Sequence, residues 1–255
     1  MVEEVSSLVD KLLKGDRAAA ARLISIVEGG GRAAAAVMRS IRRHPSRAYV
    51  IGVTGPFGVG KSTLLDAIVK LYRLRRLKIG VVAVDPSSRV SGGALLGDRI
   101  RLISNIGDEG VFFRSLSNRG NLGGLSKCTG DVVRILDAYG SDLIVLETVG
   151  AGQSDVEVAR LAHTTIVVLT PAVGDEIQLM KSGLIEIADI FVVNKADLPG
   201  ADLMEEMLRL SMPKNGWIRP VIKTIAKVGV GVQEVVESID KHREYVESKR
   251  SSRGS

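Results

Sequence analysis

Residues Gly55-Pro56-Phe57-Gly58-Val59-Gly60-Lys61-Ser62 constrain the fold more than any other stretch of this chain. They fit G-x-x-x-x-G-K-[ST], a pattern whose meaning depends on what flanks it. Ahead of it runs Tyr49-Val50-Ile51-Gly52-Val53, a short apolar, β-branched run of the kind buried in a parallel sheet. Behind it, Leu64, Leu65, Ile68, Val69 and Tyr72 recur at helical spacing. Strand, Gly-rich turn and helix start together make a phosphate cradle. The glycines let successive N–H groups converge on an anion, and the helix N-terminus adds partial positive charge. Gly55, Pro56, Phe57, Gly58, Val59, Gly60, Lys61, Ser62 and Thr63 are therefore the expected phosphate contacts. Lys61 is spaced to reach β- and γ-phosphates, and the Ser62 hydroxyl to ligate Mg²⁺.

The rest of the chain alternates between strand and helix patterns. Apolar runs at 79–84, 143–146, 165–170 and 190–193 read as buried strands, and Val221-Ile222 opens a last one. Helical patterns over 64–74, 131–139, 156–162, 176–187 and 203–210 separate them. This predicts an α/β fold of the P-loop NTPase kind, with a mostly parallel sheet covered by helices on both faces. Residues 1–46 read as a small helical appendage and 47–245 as the nucleotide-binding domain. Within the appendage, Val5, Leu8, Val9, Leu12 and Leu13 form one stripe, Leu23, Ile24 and Val27 a second, and 33–41 an Ala-rich third. Its arginines, Arg32, Arg39, Arg42, Arg43 and Arg47, read as a solvated face. Residues 246–255, charged and Ser-rich, are expected to fray.

In open α/β sheets the ligand lies beyond the carboxyl ends of the strands, so the residues closing each strand carry the chemistry. Asn194-Lys195-Ala196-Asp197 closes the run 190–193 and fits N-K-x-D. A carboxylate there can accept the N1 and N2 donors of guanine; adenine lacks that pair, and a site built for two bonds rejects a base that cannot make them. Asn194 and the Lys195 stem complete the base pocket, and Thr224-Ile225-Ala226 is expected to offer a backbone N–H to guanine O6. On the metal side, Asp85 and Glu147 close strands and Asp98 follows a Gly-rich loop, 92–97. Mg²⁺ takes one or two carboxylates beside phosphate oxygens and water. The expected catalytic set is Lys61, Asp98, Glu147 and Gly150, the last offering its N–H to the γ-phosphate. Ala151 follows Gly150, so no glutamine stands there to orient water; slow, partner-stimulated hydrolysis is expected, with Gln153 or Asp155 contributing. Asp175, Glu176, Gln178 and Lys181 open a helix on the same rim.

Composition removes several function classes. No apolar run of about 18 residues is present, which argues against a membrane span. Neither a signal-peptide pattern nor an internal disulfide is possible with an acidic N-terminus and one cysteine, Cys128; a cytoplasmic protein is expected. Cys128 reads as a structural thiol and His163 as helix-terminal packing. With His44 and His242 as the remaining histidines, no Cys/His metal cluster can form. A net charge of +6 is a mild bias and not a nucleic-acid signature. Few aromatics and abundant Arg and Lys hint at a thermophile.

Taken together, the strand-end motifs resemble those of the MeaB/ArgK group of G3E P-loop GTPases, the methylmalonyl-CoA mutase-associated metallochaperones. The likeness runs through Val84-Asp85-Pro86-Ser87-Ser88, Gly92-Gly93-Ala94-Leu95-Leu96-Gly97-Asp98, Asn121-Leu122-Gly123-Gly124 and Glu147-Thr148-Val149-Gly150-Ala151-Gly152-Gln153-Ser154. It continues through Gly174-Asp175-Glu176-Ile177-Gln178 with Lys181, Ile187-Ala188-Asp189 and the N-K-x-D. The resemblance implies a GTPase that binds GTP/GDP with Mg²⁺ through Ser62, Asp85, Asp98 and Glu147. It also implies docking on an adenosylcobalamin-dependent acyl-CoA mutase, where the GTPase gates cofactor loading and protects the mutase. Residues 174–181 would form an additional switch. Such proteins form a homodimer through a helical C-terminal extension; this sequence stops at residue 255, short of one, which counts against that dimer. Two other readings share the fold: a nickel-delivery maturation GTPase, which usually carries Cys/His tracts, and a deviant-Walker ATPase, whose signature lysine would stand where this chain has Pro56.

Overall fold

Seven apolar segments pair edge to edge in a computed structural model that describes residues 2–85, 107–117, 124–148, 153–171, 183–212 and 216–253. They are β1 (Tyr49–Thr54), β2 (Ile79–Asp85), β3 (Val111–Ser117), β4 (Leu143–Thr148), β5 (Thr164–Leu169), β6 (Ile190–Asn194) and β7 (Val221–Thr224). Every residue of β1, β4, β5 and β6 is buried, as the interior strands of a parallel sheet must be. The order is β3-β2-β4-β1-β5-β6-β7, with each pairing parallel. β1 sits where the strand order reverses, which opens a crevice at its carboxyl end.

Helices α1 (Val2–Leu13), α2 (Arg17–Gly29), α3 (Gly31–Ile41), α4 (Lys61–Leu74) and α5 (Gly124–Ala138) are followed by α6 (Gln153–Leu161), α7 (Leu184–Ile187), α8 (Ala201–Ser211) and α9 (Val232–Arg253). Because strand side chains alternate, the sheet builds a core on each face. Ile51, Val53, Val81 and Val145 meet Leu64, Leu65 and Ile68 of α4 and Val235, Val236 and Ile239 of α9. Their neighbours Val50, Val82, Ile144 and Leu146 meet α5 and α6 on the opposite face. Val167, Leu169, Phe191 and Val193 meet Met204 and Leu208 of α8.

The N-terminal helices belong to that second core. Val5, Leu12, Leu23, Ile24, Val37 and Ile41 are buried in one cluster with strand residues of β2, β3 and β4. Asp16 caps α2 by accepting the Ala19 N–H. Arg17 donates to the Val111 carbonyl at 2.9 Å and lies over the Phe112 ring, and Glu28 pairs with Arg114, so α2 is fastened to β3. Arg32, Arg39, Arg42, Arg43 and Arg47 are exposed, in keeping with a solvated face. Two features depart from the sequence reading. β3 has no counterpart among the expected strands, and residues 246–253, expected to fray, continue α9 as helix.

Candidate active site

β1 drives the chain upward through its buried ladder and releases it at Thr54 into the Gly-rich loop. Gly55 adopts φ 141°, and a Cβ there would run into the Val168 carbonyl of β5, so only glycine allows the loop to leave β1 against its neighbour. Gly60, at φ 92°, turns the chain into α4, and a Cβ there would strike the Asn194 side chain. Val59 is buried in the core beneath, whereas Phe57 is 80% exposed on the loop's outer rim. Lys61 opens α4 and is buried, its Nζ donating to the carbonyls of Gly55 at 2.8 Å and Pro56 at 2.7 Å. Burial pushes the ammonium's pKa down, and the nearby Glu147 and Asp155 carboxylates oppose that shift. Ser62 and Thr63 are half-buried in the first turn.

Glu147 arrives from β4, in register between Val53 of β1 and Ala83 of β2. Its Oε1 accepts the Ser62 hydroxyl at 2.5 Å. Burial raises the carboxyl's pKa, and both the Ser62 donor and the Lys61 charge pull it back. This hydroxyl–carboxylate pair is an all-oxygen donor set of the kind Mg²⁺ prefers. Among the described residues no three His, Cys, Asp or Glu side chains gather as a metal site. Asp85 closes β2 as expected; its side chain, with Asp98, Gly150, Gln153's side chain and the rim residues Asp175, Glu176, Gln178 and Lys181, lies outside the described residues.

On the base side, Asn194 closes β6 and is buried. Its Nδ2 donates to the Val59 carbonyl at 2.8 Å, and its Oδ1 accepts from the Thr224 hydroxyl at 3.0 Å and the Ala226 N–H at 3.1 Å. Lys195, at φ 56°, reaches back over the loop to donate to the Gly58 carbonyl at 2.8 Å. Asp197 is exposed at the edge of the crevice. Thr224, Ile225 and Ala226 stand beside this strand end. The Ile225 N–H donates to the Val230 carbonyl and the Ala226 N–H to Asn194. With the Thr224 hydroxyl, the segment orients Asn194.

Sequence reasoning missed the threonines under the loop. Thr54 closes β1, Thr148 closes β4, and their hydroxyls lie 3.0 Å apart, with Thr148 also donating to Asp155 at 2.6 Å. Two threonines ending apolar strands on either side of the crevice were the available signal. His163 is more than helix-terminal packing: its Nδ1 accepts the Val50 N–H at 2.9 Å and so joins the start of β1. Cys128 is half-buried, and burial pushes its thiol up to about 11, as a structural cysteine's would be.

A parallel sheet reversing at β1, a Gly-rich loop capped by a buried lysine, and an N-K-x-D strand end tied to that loop define the class of P-loop GTPases. The chain belongs to the MeaB family: the family model described as methylmalonyl Co-A mutase-associated GTPase MeaB matches residues 20–253. A relative from Pyrococcus horikoshii that bears a GTPase name is 47% identical over 253 residues, spanning 96% of this chain and 80% of its own. The mouse protein named methylmalonic aciduria type A homolog, mitochondrial, is 33% identical over 257 residues, spanning 92% of this chain and 62% of its own. Among solved structures, that of a LAO/AO transport system kinase superposes with a TM-score of 0.76 at 26% identity, covering 96% of this chain and 76% of that one. The protein is a nucleotide-binding enzyme that hydrolyses GTP. Among the described residues no helix is long and apolar enough to cross a membrane.

Proposed function

We propose that this GTPase serves an adenosylcobalamin-dependent acyl-CoA mutase of the methylmalonyl-CoA type, gating cofactor loading and protecting the enzyme, and that it does so in the cytoplasm. Support for the mutase as client comes from the family description and from the methylmalonic aciduria name of the mouse relative. The observation that carries the nucleotide chemistry is the meeting of Lys61, Ser62 and Glu147 at the end of β1. In this reading Lys61 leaves the loop carbonyls for the β- and γ-phosphates, and the loop amides together with Gly150 cradle the rest. Ser62, Glu147, Asp85 and Asp98 hold Mg²⁺, which neutralises phosphate charge when bound. Asn194 and Lys195 frame the base, and Asp197 accepts its two N–H donors. Residues 174–181 pass the nucleotide state to the mutase.

Phosphoryl transfer is dominated by positioning and electrostatics, so a partner that completes the site accelerates it. GTP turnover by the full chain, measured with and without purified methylmalonyl-CoA mutase, tests the partner. An acceleration of about tenfold or more is expected, since completing a GTPase site is worth at least that. Unchanged turnover at saturating mutase, with no co-elution in either nucleotide state, would remove the mutase from the account.

A further inference from the structure

Asp155 stands in the first turn of α6 with only 2% of its surface exposed. A carboxylate that deep persists only when donors meet its charge. Its Oδ1 accepts the Thr148 hydroxyl at 2.6 Å, and Thr148 Oγ1 lies 3.0 Å from Thr54 Oγ1. Thr54 is the last residue of β1, directly before Gly55; Thr148 directly follows Glu147. One buried polar chain therefore joins the start of a helix to the two strand ends that deliver the phosphate loop and the Glu147 carboxylate.

The ladder explains why such a chain is needed. Pairing between β1 and β4 stops at Val53 and Glu147. One residue further on, the side-chain contact between Thr54 and Thr148 takes over from the backbone. Helix α6 is seated hard on β1 at its far end, since a Cβ on Gly52 would touch Val158 Cγ1 at 3.0 Å and the Ala162 Cβ at 3.2 Å. Steric contact fixes one end of the helix and the Asp155 bond fixes the other. Asp155 also lies close enough to Lys61 to favour its charge. Its Oδ1 is committed to Thr148, and through that bond the carboxylate supports protein groups.

We propose that Asp155 is a positioning residue for GTP hydrolysis, acting through Thr148 to hold the end of β4, and with it Glu147, against the phosphate loop. This rests on the placement of the triphosphate at that loop. Displacing a positioning group by about 1 Å costs on the order of 100-fold in rate, whereas GDP affinity draws on the loop amides and the base pocket.

Steady-state GTP hydrolysis and fluorescent-GDP binding by the full chain test it, using D155A, D155N, T148V, T148S and the double variant D155A/T148V. D155A and T148V should each lower kcat about ten- to hundredfold, with KM and GDP affinity within about threefold of the parent. D155N still offers an acceptor and T148S still offers a hydroxyl, so both should recover most of the rate. The double variant should be no slower than D155A, because the Thr148–Asp155 bond is already lost there. Multiplying effects, or kcat within about twofold of the parent in both D155A and T148V, would overturn the proposal. So would GDP affinity falling in step with kcat, which marks a structural prop. Should D155A fail to fold, T148V against T148S decides: equal rates overturn the proposal, and a slow T148V beside a recovered T148S supports it. GDP binding that survives K61A unchanged would instead strike the nucleotide placement itself.

Discussion

Asn194 donates to the Val59 carbonyl at 2.8 Å while its own oxygen accepts from Thr224 and Ala226. One buried side chain from β6 thus spans the phosphate loop and the segment after β7, and fixes the distance between the two halves of the nucleotide pocket. Removing it strands three buried groups, and each unmet buried group costs about 1–3 kcal/mol. Asn194→Ala is expected to weaken GDP binding at least about tenfold by calorimetry, since roughly 1.4 kcal/mol is a factor of ten. Parent-like affinity would contradict the bridging role.

The loop glycines should differ sharply in tolerance. At Gly55 an added Cβ meets the Val168 backbone, which cannot step aside without moving β5. At Gly58, φ is 79° but nothing lies within 4 Å of the Cβ position. Gly58→Ala should cost only the left-handed backbone penalty of about 1–2 kcal/mol. Gly55→Ala should cost about 3 kcal/mol or more, because overpacking adds to the strain. Urea midpoints compare the two, and equal losses would refute the close approach of loop and β5.

Acid should destabilise the fold through two histidines, one buried and one half-buried. His242, on the buried face of α9, has Nδ1 2.8 Å from the Thr164 hydroxyl and Nε2 3.5 Å from Asp189. Burial lowers its pKa, and Asp189 pulls the other way. His163 is lowered too, by burial first and then by Arg250 and Arg243. Below the ordinary histidine value the unfolded chain binds protons that the native state refuses, so stability falls as pH drops from neutral toward the lowered values. Asp189, raised by burial, acts in the opposite sense, which makes His163 the cleaner test. Thermal unfolding followed at Trp217, the sole tryptophan, should show a lower Tm at pH 5.5 than at 7.5. His163→Asn keeps an acceptor for Val50 and should flatten that dependence; a slope equal to the parent's would contradict it.

Local pattern revealed the sheet because interior parallel strands are apolar throughout. β1, β4, β5 and β6 announce themselves, and the residues that close β1, β4 and β6 carry the nucleotide motifs. β3 hid because Val111-Phe112-Phe113-Arg114-Ser115-Leu116-Ser117 has neither a continuous apolar run nor a clean alternation. Its Arg114 is answered by Glu28 from a helix 86 residues away, a partnership no window can show. For the same reason the core that Leu23 and Ile24 of the 1–46 appendage share with β2 and β4 was not legible. At the site, Asn194, Lys61, Ser62 and Glu147 were legible from spacing. The Thr54–Thr148–Asp155 chain was not, since each threonine alone passes for an ordinary strand residue. The bonds that Thr224 and Ala226 make to Asn194 were not legible either, because tertiary geometry sets them.

The central claim is a phosphate loop and a guanine-reading strand end acting as one pocket, and Asp197 is its most exposed commitment. Calorimetric binding of GDP and xanthosine diphosphate to the parent chain and to Asp197→Asn tests it most directly. The account predicts strong preference for GDP in the parent and a reversal toward xanthine in the variant, whose new amide donates to the 2-carbonyl. The same base preference in both proteins would contradict it.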